Sequence, residues 1–270
     1  MKSFFAHLKL KEFLLLFPSM LIFGFFFGSL FSAILYSPDP MGSAAAIAQE
    51  GSFQRALLRT MRIALAVALI SSLLAYPTAL YINSLSSRTL KRVAYGLVWL
   101  PVMVNPVVRS YGWMLILGRY GILNSLLSLF GVGEQRILYT ELAVVIGLVE
   151  LFTPFLVASI YSALERVGED LIMAARTLGA GSIHVFKDVI LPLSAKGYFF
   201  GLTIVIAGSF TAYTTPVLLG GTKNMTLSML LYLYAATLLD WNSAVGLSIL
   251  MLVIVVGLAA LPRIILRRRG

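Results

Sequence analysis

The sequence contains no cysteine and only two histidines in 270 residues. No disulfide framework, thiolate metal site or cysteine redox centre can therefore form. His7 and His184 are too far apart in sequence to suggest a structural zinc site. Charge is also scarce: 12% of residues are Asp, Glu, Lys or Arg, against about 25% in a soluble domain. With 59% of residues hydrophobic, too little polar surface exists to coat a globule in water, so the natural solvent is lipid. No G-x-x-x-x-G-K-[ST] run occurs, and Gly220-Gly221-Thr222-Lys223 is too short to stand in for one, which excludes ATP binding through a P-loop. No catalytic triad or metal constellation is evident. Asn224-Met225-Thr226 matches a glycosylation triplet only at chance level. There is no internal repeat, low-complexity tract or flexible linker, so a single domain over residues 1–270 is expected.

What is abundant is long apolar sequence. Crossing a bilayer as a helix takes about 20 apolar residues, and lipid offers no partners for free backbone groups, so each span must be helical. Six segments qualify: 13–36, 60–83, 93–117, 138–164, 197–219 and 243–266. The expectation is an all-α membrane protein of six transmembrane helices. The first run is too long for a signal-peptide core, and Ser37-Pro38-Asp39-Pro40 lacks a small-x-small cleavage site, so it reads as a retained helix. Residues 120–131 are apolar but too short to span, and Ile122, Leu123, Leu126, Leu127 and Phe130 recur at helical spacing, which predicts an interfacial helix on the outer side. Pro77, Pro101, Pro106 and Pro154 are predicted kinks.

The formal charge of +10 is distributed as a topology signal rather than as a nucleic-acid-binding face. Lys2, Lys9, Lys11, Arg88, Lys91, Arg92, Arg166, Arg176, Lys187, Lys196, Arg263, Arg267, Arg268 and Arg269 fall on one side, and these are fourteen of the twenty-one bases. The positive-inside rule puts both termini and the loop 165–196 in the cytoplasm of a multi-pass inner-membrane protein.

That loop is the only long, densely charged segment. It carries Glu165, Glu169, Asp170 and Asp188 beside four of those bases and His184, for which surface packing is the simplest role. Leu171, Ile172, Ala175 and Leu178 share one helical face, Gly179 is placed to stop the helix in a left-handed conformation, and Ser182 is a good N-cap for a second short helix. Pro192 should break the path before the next span. Ala174 and Ala175 allow close backbone approach, while Ile183, Val185 and Phe186 offer apolar contacts. A water-exposed, gapped motif between two spans suggests a docking site for a soluble partner.

The spacing Met173-Ala174-Ala175, three residues, Gly179, nine residues, Val189-Ile190-Leu191-Pro192 resembles the EAA loop of permease subunits of bacterial ABC importers. That pattern is E-A-A, then G, then I-x-L-P, with the same gaps. Met173 replaces the acid, for which Glu169 or Asp170 is a substitute, and Val189 replaces isoleucine. Asn105 to Trp113, Leu138 to Glu141 running into Val145 to Leu148, and Leu218-Leu219-Gly220-Gly221 are similar to the spermidine/putrescine permease group. The resemblance covers residues 60–260 and implies the type I importer permease fold. It also implies a second permease subunit, a pair of cytoplasmic ATPases that hold ATP and Mg, and an extracytoplasmic solute-binding protein, with no cofactor in this chain. Residues Met173, Ala174, Ala175, Gly179, Ile183, Phe186, Leu191 and Pro192 would couple the ATPase to the spans.

Polar residues at membrane depth are costly and tend to line a bundle interior or pathway. Glu150 lies in the fourth span and Arg109 in the third, near Tyr111 and Trp113, which makes an Arg109–Glu150 pair one reading. Thr211, Tyr213, Thr214 and Thr215 precede Pro216, which should loosen the fifth span so that they face a solute. The competing reading for the hydroxyls is back-bonding to their own helix. Acids that polyamine permeases carry around this span are replaced by Ala212 and Val217, so an opine, amino acid or phosphonate fits as well as a polyamine. A secondary transporter would show more spans or a duplication, and an intramembrane enzyme more acids and histidines; neither needs the loop.

Overall fold

The computed structural model describes residues 10–166 and 169–267. His7, Lys2, Lys9, Arg268 and Arg269, all used in the sequence reading, lie outside them, as do the side chains of Glu169 and Asp170. Every regular element among the described residues is helical. In chain order these are α1 (Leu10–Tyr36), α2 (Pro40–Gln49), α3 (Gly51–Ser84), α4 (Arg88–Met103), α5 (Pro106–Leu117), α6 (Ile122–Leu129) and α7 (Glu141–Leu164). Then follow α8 (Glu169–Thr177), α9 (Ser182–Thr211), α10 (Leu227–Thr237) and α11 (Trp241–Arg267).

Length and composition establish four crossing helices among the described residues, α3, α7, α9 and α11, and a fifth span if α4 and the bent continuation Pro106–Leu129 count as one. The six expected therefore depend on α1, whose described apolar stretch is Leu16–Gly28. The segment 120–131 is the short helix expected of it, Ile122–Leu129.

The third span departs most from expectation. Instead of one helix over 93–117, the chain turns by 92° between α4 and α5. Pro106 supplies no N–H and forces the residue before it out of helical space. Val104 and Asn105 are accordingly extended, with ψ of 135° and 132°. Asn105 then restarts the helix by accepting a hydrogen bond from Val107 N at 2.9 Å, the usual service of an N-cap side chain.

The fifth span also differs from expectation at both ends. Pro192 does not interrupt the path: α9 runs unbroken from Ser182 to Thr211. The turn Val185–Ile190 just before the proline is widened to π geometry, with Leu191 N bonding Phe186 O. That widening carries the chain past a ring that would strike the carbonyl four residues back in a regular helix. Ser182 is the first helical residue rather than the cap, which is Gly181. At the far end α9 stops at Thr211, not 219, because Ala212 is extended. The break comes before Pro216, which instead opens the short turn Pro216–Gly220. Ala212 O, left without a helical donor, accepts the hydroxyl of Ser228, and Leu227 N donates to Thr60 Oγ1 at 3.0 Å. Both broken ends are thus satisfied inside the protein, as a lipid environment demands.

The core is the three-way packing of α3, α7 and α9, built from Val67, Ala75, Ala79, Leu148, Leu156, Ile160 and Val205. A second cluster joins α2, α3, α10 and α11 through Ile47, Phe53, Leu227, Leu230 and Leu247. In lipid, helices associate through close packing rather than hydrophobic burial, so small residues matter. At Gly197 of α9 an added Cβ would lie 2.5 Å from Ser159 O and 2.6 Å from the Ala163 methyl of α7. Gly197→Val should therefore push the two helices apart and cost roughly 1–3 kcal/mol or more, read as a lowered melting temperature in detergent. Gly257→Val, where nothing lies within 4 Å, should leave it unchanged.

Candidate functional site

The loop between α7 and α9 folds as helix, glycine turn, helix. The end of α8 follows from its sequence: Ala180 N bonds Ala175 O at 3.0 Å and Gly179 N bonds Arg176 O at 2.9 Å. This is the paired 6→1 and 5→2 closure of a Schellman turn. It requires a left-handed residue at Gly179, whose φ is +85°, a region that β-branched side chains occupy only under strain.

The turn sets the exposure of the elbow. Leu178 is 88% exposed, Ile183 79% and Met173 59%, so an apolar crest stands on a charged loop, uncovered by any of the described residues. Ala174, Gly179, Leu191 and Pro192 are exposed and Ala175 is half-buried. Val185 and Phe186, expected to offer outward contacts, turn inward. Val185 is buried, and the Phe186 ring meets Tyr76 of α3 edge to face at 5.6 Å. A cleft of about 500 Å³ separates the elbow, at Met173, Arg176 and Ser182, from the end of α3 at Leu80, Asn83 and Ser84.

The second site lies where the third span breaks. Arg109 Nε meets Glu150 Oε2 at 3.1 Å, with side chains only 6% and 22% exposed. Trp113 Nε1 lies 3.4 Å from the same oxygen, a long bond at best. Arg109 Nη1 donates to Pro101 O at 3.0 Å, a carbonyl at the end of α4 that the 92° turn deprives of its helical donor. The arginine thus neutralises Glu150 and satisfies the broken helix together. Its Nη2 is buried and has no partner among the described residues. Beside the pair, Trp113 and Glu150 line an apolar cleft of about 500 Å³ shared with Ile70, Leu97, Val145 and Val157.

Of the other pathway candidates, Tyr111 is exposed and shows no polar partner among the described residues. Thr211 bonds back to Ala207 O at 3.1 Å, the local alternative considered for such hydroxyls. Tyr213 stacks on Tyr232 with ring centres 4.6 Å apart, and Thr214 is half-buried. Thr215 is buried against Gly147, which lies three residues before Glu150 and so on the adjoining turn of α7. The two polar groups therefore converge on one stretch of α7.

A third polar assembly has no counterpart in the sequence reading. Glu141 Oε1, at the start of α7, receives Arg59 Nε and Arg62 Nη2, each at 3.0 Å. Arg59 Nη1 also donates to Met225 O at 3.1 Å. Arg59 and Arg62, three apart on one helix face, were the available signal; their partner lies 79 residues or more away.

Residues 68–270 match the family described as binding-protein-dependent transport system inner membrane component. The chain is 32% identical over 207 residues to the spermidine/putrescine transport system permease protein PotB of Escherichia coli, covering 76% of this chain and 74% of that protein. It is 31% identical over 204 residues to the molybdenum transport system permease protein ModB of Mycobacterium bovis, covering 75% and 76%. In structure it resembles a bacterial ABC transporter involved in import of the acidic polysaccharide alginate, with a TM-score of 0.76 at 18% identity over 96% of both chains. The chain belongs to the binding-protein-dependent transport system inner membrane component family. It is a multi-pass permease subunit of an ABC importer in the inner membrane, and not an enzyme.

Breaking the buried pair should be worse than removing it. Arg109→Met strands the Glu150 carboxylate at membrane depth, an expected loss of about 3–5 kcal/mol. The double variant Arg109→Met with Glu150→Leu should recover part of that loss, leaving mainly the cost at Pro101 O. Melting temperatures of the two variants against the parent check the ordering.

Proposed function

We propose that the chain carries a small organic solute of the polyamine class into the cytoplasm by alternating access, driven through the elbow at 165–196. Met173, Ala174, Ala175, Gly179, Ile183, Leu191 and Pro192 form the surface on which one of two cytoplasmic ATPase subunits seats, and Phe186 anchors that surface to α3. ATP and Mg are held by the ATPases. A second permease subunit completes the pathway, and an extracytoplasmic binding protein delivers the solute. Both termini face the cytoplasm and residues 1–270 act as one domain. The observation that carries this reading is the exposed crest of Leu178, Ile183 and Met173 on a loop that is otherwise strongly charged, fixed in place by the Schellman turn. An apolar patch of this kind on a polar surface marks a protein contact.

The pathway runs past Arg109, Trp113 and Glu150 and on to Tyr213, Thr214 and Thr215 at the break after α9, with Tyr111 and Thr211 on its border. The polyamine class rests on the 32% identity to PotB. A second reading, an uncharged or anionic solute such as an amino acid, opine or phosphonate, is favoured by a separate observation. Glu150 is already neutralised by Arg109, and Ala212 and Val217 supply no further acid for a polycation.

Gly179→Ile should abolish uptake and release the ATPase from purified complexes while the chain still inserts, because a β-branched residue resists the φ of +85°. Normal uptake with the ATPase retained would remove the elbow from the mechanism. Uptake of labelled spermidine by the reconstituted importer, competed separately with amino acids and phosphonates, decides the solute class.

A further inference from the structure

The widened turn at Val185–Ile190 is the piece of backbone through which any displacement of the elbow must enter the membrane. One residue outside the loop grips both of its ends. Tyr76 of α3 holds the start of the turn with its ring, edge to face against Phe186 at 5.6 Å. It reaches the end of the turn through a relay. Tyr76 Oη lies 2.5 Å from Ser194 Oγ, and Ser194 Oγ donates to Ile190 O at 2.6 Å. A hydroxyl has one proton; Ser194 spends its own on Ile190, so Tyr76 is the donor to Ser194. Ser194 is fully buried, which keeps water from replacing either bond. Tyr198 closes the cluster, its ring 5.8 Å from that of Tyr76 and its hydroxyl 3.0 Å from Ser72 Oγ. Tyr76 is followed by Pro77 within α3, a point where a helix gives up a hydrogen bond and bends most readily.

We infer that Tyr76 is a positioning residue for energy coupling: it clamps the π turn to α3, so that motion of the elbow carries α3 and α9 together instead of being lost in the wide turn. This rests on the coupling role of the elbow proposed above. The aromatic contact supplies stiffness across the turn. The hydroxyl relay ties Ile190, the last residue of the turn, to α3 through Ser194. Without the relay, the ATPase would still seat and hydrolyse ATP, but a smaller share of its movement would reach the spans.

The test uses the full reconstituted importer carrying Tyr76→Phe, which removes the hydroxyl and keeps the ring, and Ser194→Ala, singly and combined. Spermidine moved per phosphate released should fall about fivefold in each single variant, the size expected for one buried neutral hydrogen bond. ATPase retention and basal hydrolysis should be unchanged. The double variant should fall no further than either single one, because the relay acts as a unit. Equal loss of transport and hydrolysis, failure of the complex to assemble, or additive losses would each show a merely structural role and overturn the assignment. A second readout does not depend on the solute. The chain has no cysteine, so spin labels can be placed at the exposed Leu58 of α3, about five turns from Tyr76, and at the exposed Leu193 of α9, next to Ser194. Between nucleotide-free and ATP–vanadate states their distance should hold steady with Tyr76 present and shift or broaden in Tyr76→Phe; identical behaviour overturns the clamp. A parent importer that takes up no spermidine but keeps this label difference would correct the solute and leave the clamp standing. Normal uptake in Gly179→Ile would remove the elbow itself.

Discussion

The contact between α7 and α9 is the constraint on which the remaining structure depends. In lipid there is no water to expel from between two helices, so they hold together only as far as their surfaces interlock. Gly197 meets the backbone of Ser159, Gly201 meets Leu156 and Ser159, and Gly208 meets the ring of Phe152. This line of contact lets α9 lie against α7 along most of its length. Because the loop 165–196 joins these two helices, their separation also fixes the distance its ends must bridge. The elbow is therefore a short span of chain whose ends are held at a set separation, and the turn at Gly179 determines where the apolar crest points.

A second constraint follows from the first. A bilayer tolerates a broken helix only where the freed backbone groups find partners within the protein. Among the described residues apolar helices break after Met103 and after Thr211, and each break recruits a side chain from beyond it: Arg109 for Pro101 O and Ser228 for Ala212 O. At the first break the recruited donor is charged, so its own charge must be answered, and Glu150 on α7 does so. The ion pair is best understood as a consequence of the 92° turn. It also leaves Arg109 Nη2 without a partner among the described residues, close to the cleft that Trp113 and Glu150 line.

What could be read from the sequence follows the range of the interactions. The stop at Gly179 was legible because a Schellman turn is made within six residues of chain, and the apolar runs were legible because a span is a local property of composition. The Arg109–Glu150 pair was legible because two lone charges in apolar segments have few alternatives. The turn between α4 and α5 was only half legible: Pro101 and Pro106 announced a disturbance, but a kink and a full change of direction look alike until the packing of α5 against α7 is known. Pro192 was misread for a related reason. A proline forbids one hydrogen bond, and whether the chain ends its helix or widens a turn depends on what holds the widened turn in place. Here Tyr76, more than a hundred residues earlier, does so, and nothing near Pro192 signals it. The bridge from Glu141 to Arg59 and Arg62 escaped notice on the same ground, since nothing near either arginine in sequence marks its partner.

The two functional regions therefore differ in how tightly the chain specifies them. The elbow is set by backbone rules that admit few residues, a glycine at a positive φ and small residues at Ala174 and Ala175, so one geometry can serve permeases of unlike cargo. PotB and ModB, matched at nearly the same identity, carry names for a polyamine and for molybdenum. The proposed pathway is set by side chains that can be exchanged with little effect on the backbone; Ala212 and Val217 bring no acid there for a polycation. On the proposed assignment, changing solute costs a few substitutions around Glu150 and Thr215, whereas changing the proposed coupling surface would require rebuilding the turn, the π segment and the α7–α9 contact together. That asymmetry accounts for a chain whose mode of action is far plainer in its sequence than its cargo.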